Sequence, residues 1–273
     1  MFDNAARGDQ GLLRMALAAA LILMIPVALI TTNIRVVISE QETYDHSVRE
    51  YNAHRASGIP ESELLRANNE IRRYLVSEDA GPLAIEVTNK SGQAENLFSA
   101  RETSHMADVR DLVQAMFKAQ VFAIAVVLAA AVAMTALWGP RVLAAALLYG
   151  ALLTAGTLVA TGLLAAGGFD AAWSQFHVIA FSNDLWKLDP DTDHLIQMYP
   201  EAFWFEITAI LGAATLLEAA ALALVSGAYL FTTRERVDAQ QTAPRPELPE
   251  RPDLPGRSGH ARLAPPNPRH YIR

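Results

Sequence analysis

Four stretches of the chain, 12–31, 112–138, 142–167 and 207–231, are almost free of charge, and the remaining segments carry nearly all of it. Each is about 20 residues or longer, the length a helix needs to cross a hydrocarbon core of about 30 Å. The pattern predicts four transmembrane helices. The first is Leu12–Thr31, with Arg7 and Arg14 at its start. A secretory signal peptide also pairs a positive start with an apolar run. This run is long for one, however, and the following TNIRVVIS offers no small-x-small cleavage site, so an uncleaved anchor is expected. The second span runs from about Leu112 to Trp138. A turn at Gly139-Pro140-Arg141 leads into the third, which ends near Gly167-Gly168, and the fourth runs from Phe203 to Phe231.

Between the first two spans lies a polar segment long enough for a small cap. Pro60-Glu61-Ser62-Glu63 followed by Leu64, Leu65, Ile71 and Leu75 predicts a capped amphipathic helix. The alternation Leu83, Ile85, Val87, then Asn89-Lys90-Ser91-Gly92, then Leu97-Phe98 predicts a hairpin. A cap this small is marginal alone and should rest on the membrane helices. The expected fold is therefore a mainly α membrane protein, four transmembrane helices with a small α+β extracytoplasmic cap between spans one and two. Its segments are 1–34, the N-terminus with span one; 35–111, the cap; 112–167, spans two and three; 168–202, an outer loop; 203–231, span four; and 232–273, a tail. The tail holds eight of fourteen prolines and little to bury, so it is expected to be disordered, with Pro-x-x-Pro spacings between Pro246 and Pro255.

Charge sets the expected orientation. Arg7, Arg14, Arg141, Arg234 and Arg236 flank one side, whereas 168–202 on the other holds only Lys187 against six acids. By the positive-inside rule both termini are cytoplasmic and the cap faces outward, in a multi-pass protein of the cell membrane. The net charge of −7 over 273 residues argues against a nucleic-acid partner. The absence of cysteine excludes disulfides, thiolate metal sites and a cysteine nucleophile.

Two of the seven histidines stand apart. His105 precedes span two, with Glu102 and Asp108 three residues to either side. On a helix both acids share its face, and either could fix the imidazole tautomer. His177 follows span three, and helical spacing puts Trp173, Phe176 and His177 on one face. Nine of the 21 aromatic residues fall between Phe169 and Phe205, together with five aspartates. An interfacial aromatic belt accounts for the rings but not for the histidine and aspartates among them. Asp189, Asp191 and Asp193 fail the EF-hand pattern, and Asp191 or Thr192 is expected to cap a short helix. No zinc motif, serine elbow or phosphate loop occurs, so no metal and no cofactor are expected. Glu206 and Glu218 interrupt span four. Glu218 is expected near mid-bilayer, protonated or bonded to Thr154, Thr157 or Thr161.

The runs Glu102…His105-Met106-Ala107-Asp108-Val109-Arg110 and Phe176-His177…Phe181-Ser182-Asn183-Asp184-Leu185-Trp186…Leu188-Asp189-Pro190…Asp193-His194…Tyr199-Pro200…Phe203-Trp204 resemble a family of four-span bacterial membrane proteins. Its best-understood members are the lipoprotein intramolecular transacylases. The resemblance covers about residues 12–231, with Glu206 where many relatives have Asp and no counterpart for the tail. It implies an acyltransferase that moves the sn-2 acyl chain of a diacylglyceryl lipoprotein onto its N-terminal cysteine amine. It also implies that His105 and His177 carry the reaction by general acid/base catalysis. Glu102, Asp108, Asn183, Asp184, Asp189 and Glu206 are expected to orient groups at the site. Trp173, Phe176, Phe181, Trp186, Tyr199 and Trp204 are expected to line its pocket, and Ser174 or Asn183 to stabilise an oxyanion. The bilayer and a diacylglyceryl lipoprotein are the expected partners. A non-enzymatic relative whose outer face binds a partner or lipid is the alternative, and an acyl-enzyme or metal hydrolase on the same loops is a third.

Overall fold

A computed structural model describes residues 2–165 and 167–242 of the chain. In chain order the elements are helix α1 (Phe2–Ser39), the cap helices α2 (Gln41–Glu50), α3 (Ala53–Ala56) and α4 (Glu61–Val76), and strands β1 (Glu86–Thr88) and β2 (Ala94–Asn96). Then come α5 (Ala100–Trp138), α6 (Pro140–Ala165), α7 (Phe169–Ala180), α8 (His194–Met198) and α9 (Glu201–Thr242). Four of these, α1, α5, α6 and α9, are long and apolar enough to cross a membrane. The protein is a mainly helical, multi-pass membrane protein with one small two-stranded sheet among the described residues.

The membrane helices are longer than their apolar stretches. Hydropathy measures how much chain needs hydrocarbon, not where a helix must stop. α5 begins at Ala100 rather than near 112, because a capping box at Ser99 starts it and nothing in 101–111 breaks it. At 39 residues it is about 58 Å long, nearly twice the hydrocarbon thickness. Its charged first turns, with Arg101, Asp108, Arg110 and Asp111, therefore stand clear of the lipid. α1 likewise continues through Ser39. α9 continues past Phe231 to Thr242, so residues 232–242 form helix where the composition predicts a tail. The Pro-x-x-Pro segment lies outside the described residues.

In the membrane region α1 packs along α5 and α6, and α6 along α9. Leu21 and Ile25 of α1 meet Ala130, Met134 and Ala146 in a dry cluster. Gly150 lets α6 approach closely, since a Cβ there would run into the Ile25 side chain. Glu218 accepts a hydrogen bond from Asn33 Nδ2 (2.8 Å), which also reaches Thr215 Oγ1 (3.1 Å). Thr154, Thr157 and Thr161 do not partner Glu218; each donates to a carbonyl four residues back in its own helix. Glu218 lies 17 residues after Glu201 and 16 before Arg234, in the middle of the α9 span.

The cap is not a separate body. Val48 of α2, Leu64 and Ile71 of α4, Val87 of β1 and Leu97 share one core with Met106 of α5, Met198 of α8 and Phe203 of α9. The strands pair antiparallel, Val87 opposite Glu95, and Asn89 Oδ1 accepts from the Ser91 and Gln93 amides to close the turn. Asn68 of α4, fully buried, donates to the Tyr44 carbonyl (2.7 Å) and accepts from the Tyr199 hydroxyl (2.7 Å). The cap thus rests on the N-terminal ends of α5 and α9, and this positions the histidines.

Candidate active site

His105 lies in the second turn of α5 and His177 in the last turn of α7. Their ring centroids are 6.1 Å apart, tilted by 36°. Both rings are buried. Phe181, in extended conformation just after α7, sets its ring against both, 5.2 Å from His105 and 5.6 Å from His177. The chain then turns at Asn183, whose Oδ1 accepts from the Leu185 amide, and Trp186 folds back to stack on His177 at 4.9 Å. Trp173, one turn before His177, meets it edge-on at 4.7 Å and stacks on Trp204 of α9 at 5.0 Å. Phe176 flanks the other side of His177 at 5.3 Å. The pair therefore sits in an aromatic cage gathered from α5, α7, α9 and the loop after α7.

The cage sets the protonation chemistry. Burial, helped by the neighbouring His177 and opposed by Asp108, pushes the His105 pKa down to about 4. Burial also lowers that of His177, opposed by its bond to the Trp173 carbonyl. Both imidazoles are thus held neutral at physiological pH. His177 Nδ1 lies 2.8 Å from the Trp173 carbonyl oxygen. A carbonyl only accepts, so Nδ1 carries the proton and Nε2 the lone pair. His105 Nδ1 is buried without a hydrogen-bond partner.

The hydrogen bonds of the other motif residues lead elsewhere than to the two imidazoles. Glu102 makes its carboxylate hydrogen bonds to backbone amides rather than to His105. It is 2% exposed; Oε2 accepts from the Ser99 amide (2.7 Å) in the capping box and Oε1 from the Leu195 amide (2.7 Å), tying α5 to α8. Asp108 makes no hydrogen bond to His105, and its Oδ2 accepts from Asn183 Nδ2 (2.9 Å). Asn183 therefore uses its amide to hold the loop rather than an oxyanion. Asp184 pairs with Lys187 (2.8 Å), and its carbonyl accepts from Arg101 (2.9 Å). Asp189 and Asp193 fold the loop upon itself: Asp189 N donates to Asp193 Oδ2, and Asp191 N to Asp189 Oδ1. The α8 N-cap is Asp193, not Asp191 or Thr192. Tyr199 lies in the cap core on Asn68, with its ring 6.3 Å from that of Trp204 at the edge of the cage.

Glu206 makes its hydrogen bonds with residues other than the histidine pair. It accepts from the Tyr51 hydroxyl (2.5 Å) and contacts His46 Nε2 (3.1 Å), fastening α9 to α2 and its C-cap. Among the described residues, no group of three or more His, Asp and Glu side chains is placed to hold a metal ion. Asn68 and Arg101 position the site without having been singled out. Asn68 carried a signal, being the one polar residue in the Leu64, Asn68, Ile71, Leu75 stripe. Arg101, His46 and Tyr51 carried none, because their partners come from distant segments.

Comparison with known proteins bears on this arrangement. No curated protein matches the sequence. The fold is similar to that of the membrane-integral lipoprotein intramolecular transacylase Lit from Bacillus cereus, with a TM-score of 0.70 at 19% identity over 83% of this chain and 99% of that one. Two further structures of the Bacillus cereus protein, each with one histidine replaced, by arginine or by alanine, match with TM-scores of 0.69 and 0.68 at 18% identity. They cover 86% and 85% of this chain and 99% of the other. The family model for lipoprotein intramolecular transacylase Lit matches residues 19–204, which take in the cap, both histidines and the loop after α7. The chain belongs to the lipoprotein intramolecular transacylase Lit family of membrane-integral acyltransferases.

Proposed function

We propose that the chain transfers the sn-2 acyl group of a diacylglyceryl lipoprotein to the α-amine of its N-terminal cysteine, with His105 and His177 as the catalytic pair. The observation that carries this reading is the enclosure of two neutral imidazoles 6.1 Å apart in an aromatic cage on the cap side of the bundle. The amine nitrogen attacks the ester carbonyl. His177 Nε2, which bears a lone pair because Nδ1 is bound to the Trp173 carbonyl, takes the amine proton. The protonated His177 returns that proton to the leaving glyceryl oxygen, and His105, neutral in the cage, hydrogen-bonds the charge that develops. The C–N bond forms, the C–O bond breaks, and the products are an amide and a free sn-2 hydroxyl. Holding amine and ester together in the cage supplies much of the rate, up to about 7–11 kcal/mol in well-oriented systems.

The cap faces outward in this reading and both termini are cytoplasmic. Arg14, Arg141 and Arg234 gather at the end of the bundle opposite the cap, which supports that orientation. Asp108 raises the proton affinity of His105 through space, and the loop anchored by Asn183 and Arg101 keeps Trp186 over His177.

The test is the acyl position on lipoproteins, read by mass spectrometry from cells that depend on this chain. His105→Ala and His177→Ala should each abolish the lyso-form while the protein still inserts in the membrane. Full activity in both variants would overturn the assignment. Unchanged lipoproteins with the parent chain would favour a binding role for the outer face instead.

A further inference from the structure

We propose that the end of the bundle opposite the cap holds a binding site for the phosphate headgroup of an anionic phospholipid, built by Arg14, Arg141 and Arg234. The three arginines come from three helices, α1, α6 and α9, yet they line one open recess of about 470 Å³. Arginines serving only as a positive boundary would be free to point outward around the bundle. Here the mutual packing of the three helices brings them to one place. Arg141 is fixed there by the turn at Gly139, whose φ of 83° suits glycine, and by Pro140 at the first position of α6. Its Nη1 donates to Thr233 Oγ1 (3.1 Å), bridging α6 to α9, and a guanidinium has further N–H groups beyond that one.

The other described residues that line the recess are apolar. Val142, Leu230 and Phe231 line the recess with the arginines, and Phe231 is 63% exposed. Among the described residues, no carboxylate lines it. Cations beside apolar side chains, at the level where the spans leave the hydrocarbon, match a lipid whose phosphate lies above its acyl chains. Guanidinium forks pair with phosphate oxygens in a bidentate manner, which a lone lysine cannot do. The site is far from the histidine cage and does not depend on the acyl-transfer reading.

The full-length chain, purified in detergent, is titrated with phosphatidylglycerol, phosphatidylcholine or inorganic phosphate. Bound lipid is counted by native mass spectrometry, and thermal unfolding is recorded in parallel. Phosphatidylglycerol should be retained and should raise Tm, and neither phosphatidylcholine nor inorganic phosphate should do so. Arg14→Gln and Arg234→Gln should each weaken retention about fivefold, as expected for about 1 kcal/mol per cation near a lipid surface. The triple glutamine variant should bind the two lipids alike, and the triple lysine variant should recover part of the preference. His105→Ala should leave the preference intact, separating this site from the cage. Equal retention by parent and triple glutamine variant, or equal retention of the two lipids by the parent, would overturn the proposal. Protection by inorganic phosphate alone would assign the recess to a soluble anion and equally overturn it.

Discussion

His105 shows how far a side chain's neighbours depend on distant chain. The i±3 spacing places Glu102 and Asp108 beside it on the helix, but the carboxylates are claimed by Ser99, Leu195 and Asn183, two of which come from beyond span three. What remains around His105 is Phe181 and His177, so desolvation dominates and the folded-state pKa falls to about 4. In the unfolded chain a histidine titrates near 6.5. Between those values the unfolded state binds the proton and the folded state does not, so stability is fully present above about pH 6.5 and is lost as pH falls toward 4. The loss amounts to up to about 3 kcal/mol. Thermal unfolding of the purified protein between pH 7 and pH 4 should show this slope, and His105→Asn should flatten it. An equally steep slope in the variant would place the pH sensitivity elsewhere.

Elements owe their limits to capping and breaking residues, and their mutual arrangement to a few buried polar links. The apolar spans, the α4 stripe and the Asn89–Gly92 turn were legible, because each is a local pattern of hydrophobicity or turn chemistry. The extent of α5 was not, because the capping box that starts it lies in a polar stretch that hydropathy assigns to the cap. The carboxylate of that box also joins two helices, since Glu102 accepts from the Leu195 amide in the first turn of α8. Glu102→Ala should cost about 2–4 kcal/mol, combining a lost cap with a buried amide left unpaired. Glu102→Gln, which keeps an acceptor oxygen, should cost less. In both, the pH profile of acyl transfer should stay unchanged, since neither touches an imidazole. A shifted profile would mean that Glu102 acts on His105 after all.

At the scale of the whole molecule, the cap and the bundle are one structure, with Met106, Met198 and Phe203 shared between them. Its orientation can be read directly because the chain has no cysteine of its own. Ser91→Cys, at the hairpin tip, should react with a membrane-impermeant maleimide in intact cells, whereas Gly139→Cys, in the turn between α5 and α6, should react only after permeabilisation. The reverse pattern would invert the topology and place the histidine cage on the cytoplasmic side.

The number of spans, the existence of a small mixed cap and the interest of two histidines follow from the sequence by itself, since apolar length, turn residues and chemical type are properties of short segments. The His105–His177 approach, the reassignment of Glu102 and Glu206 to structural links, the Asn33 bond to Glu218 and the shared arginine recess were decided only by the tertiary structure. Each of these joins segments distant in the chain. Such pairings are fixed by the packing of whole helices, and no local pattern of side chains encodes which buried polar group will meet which.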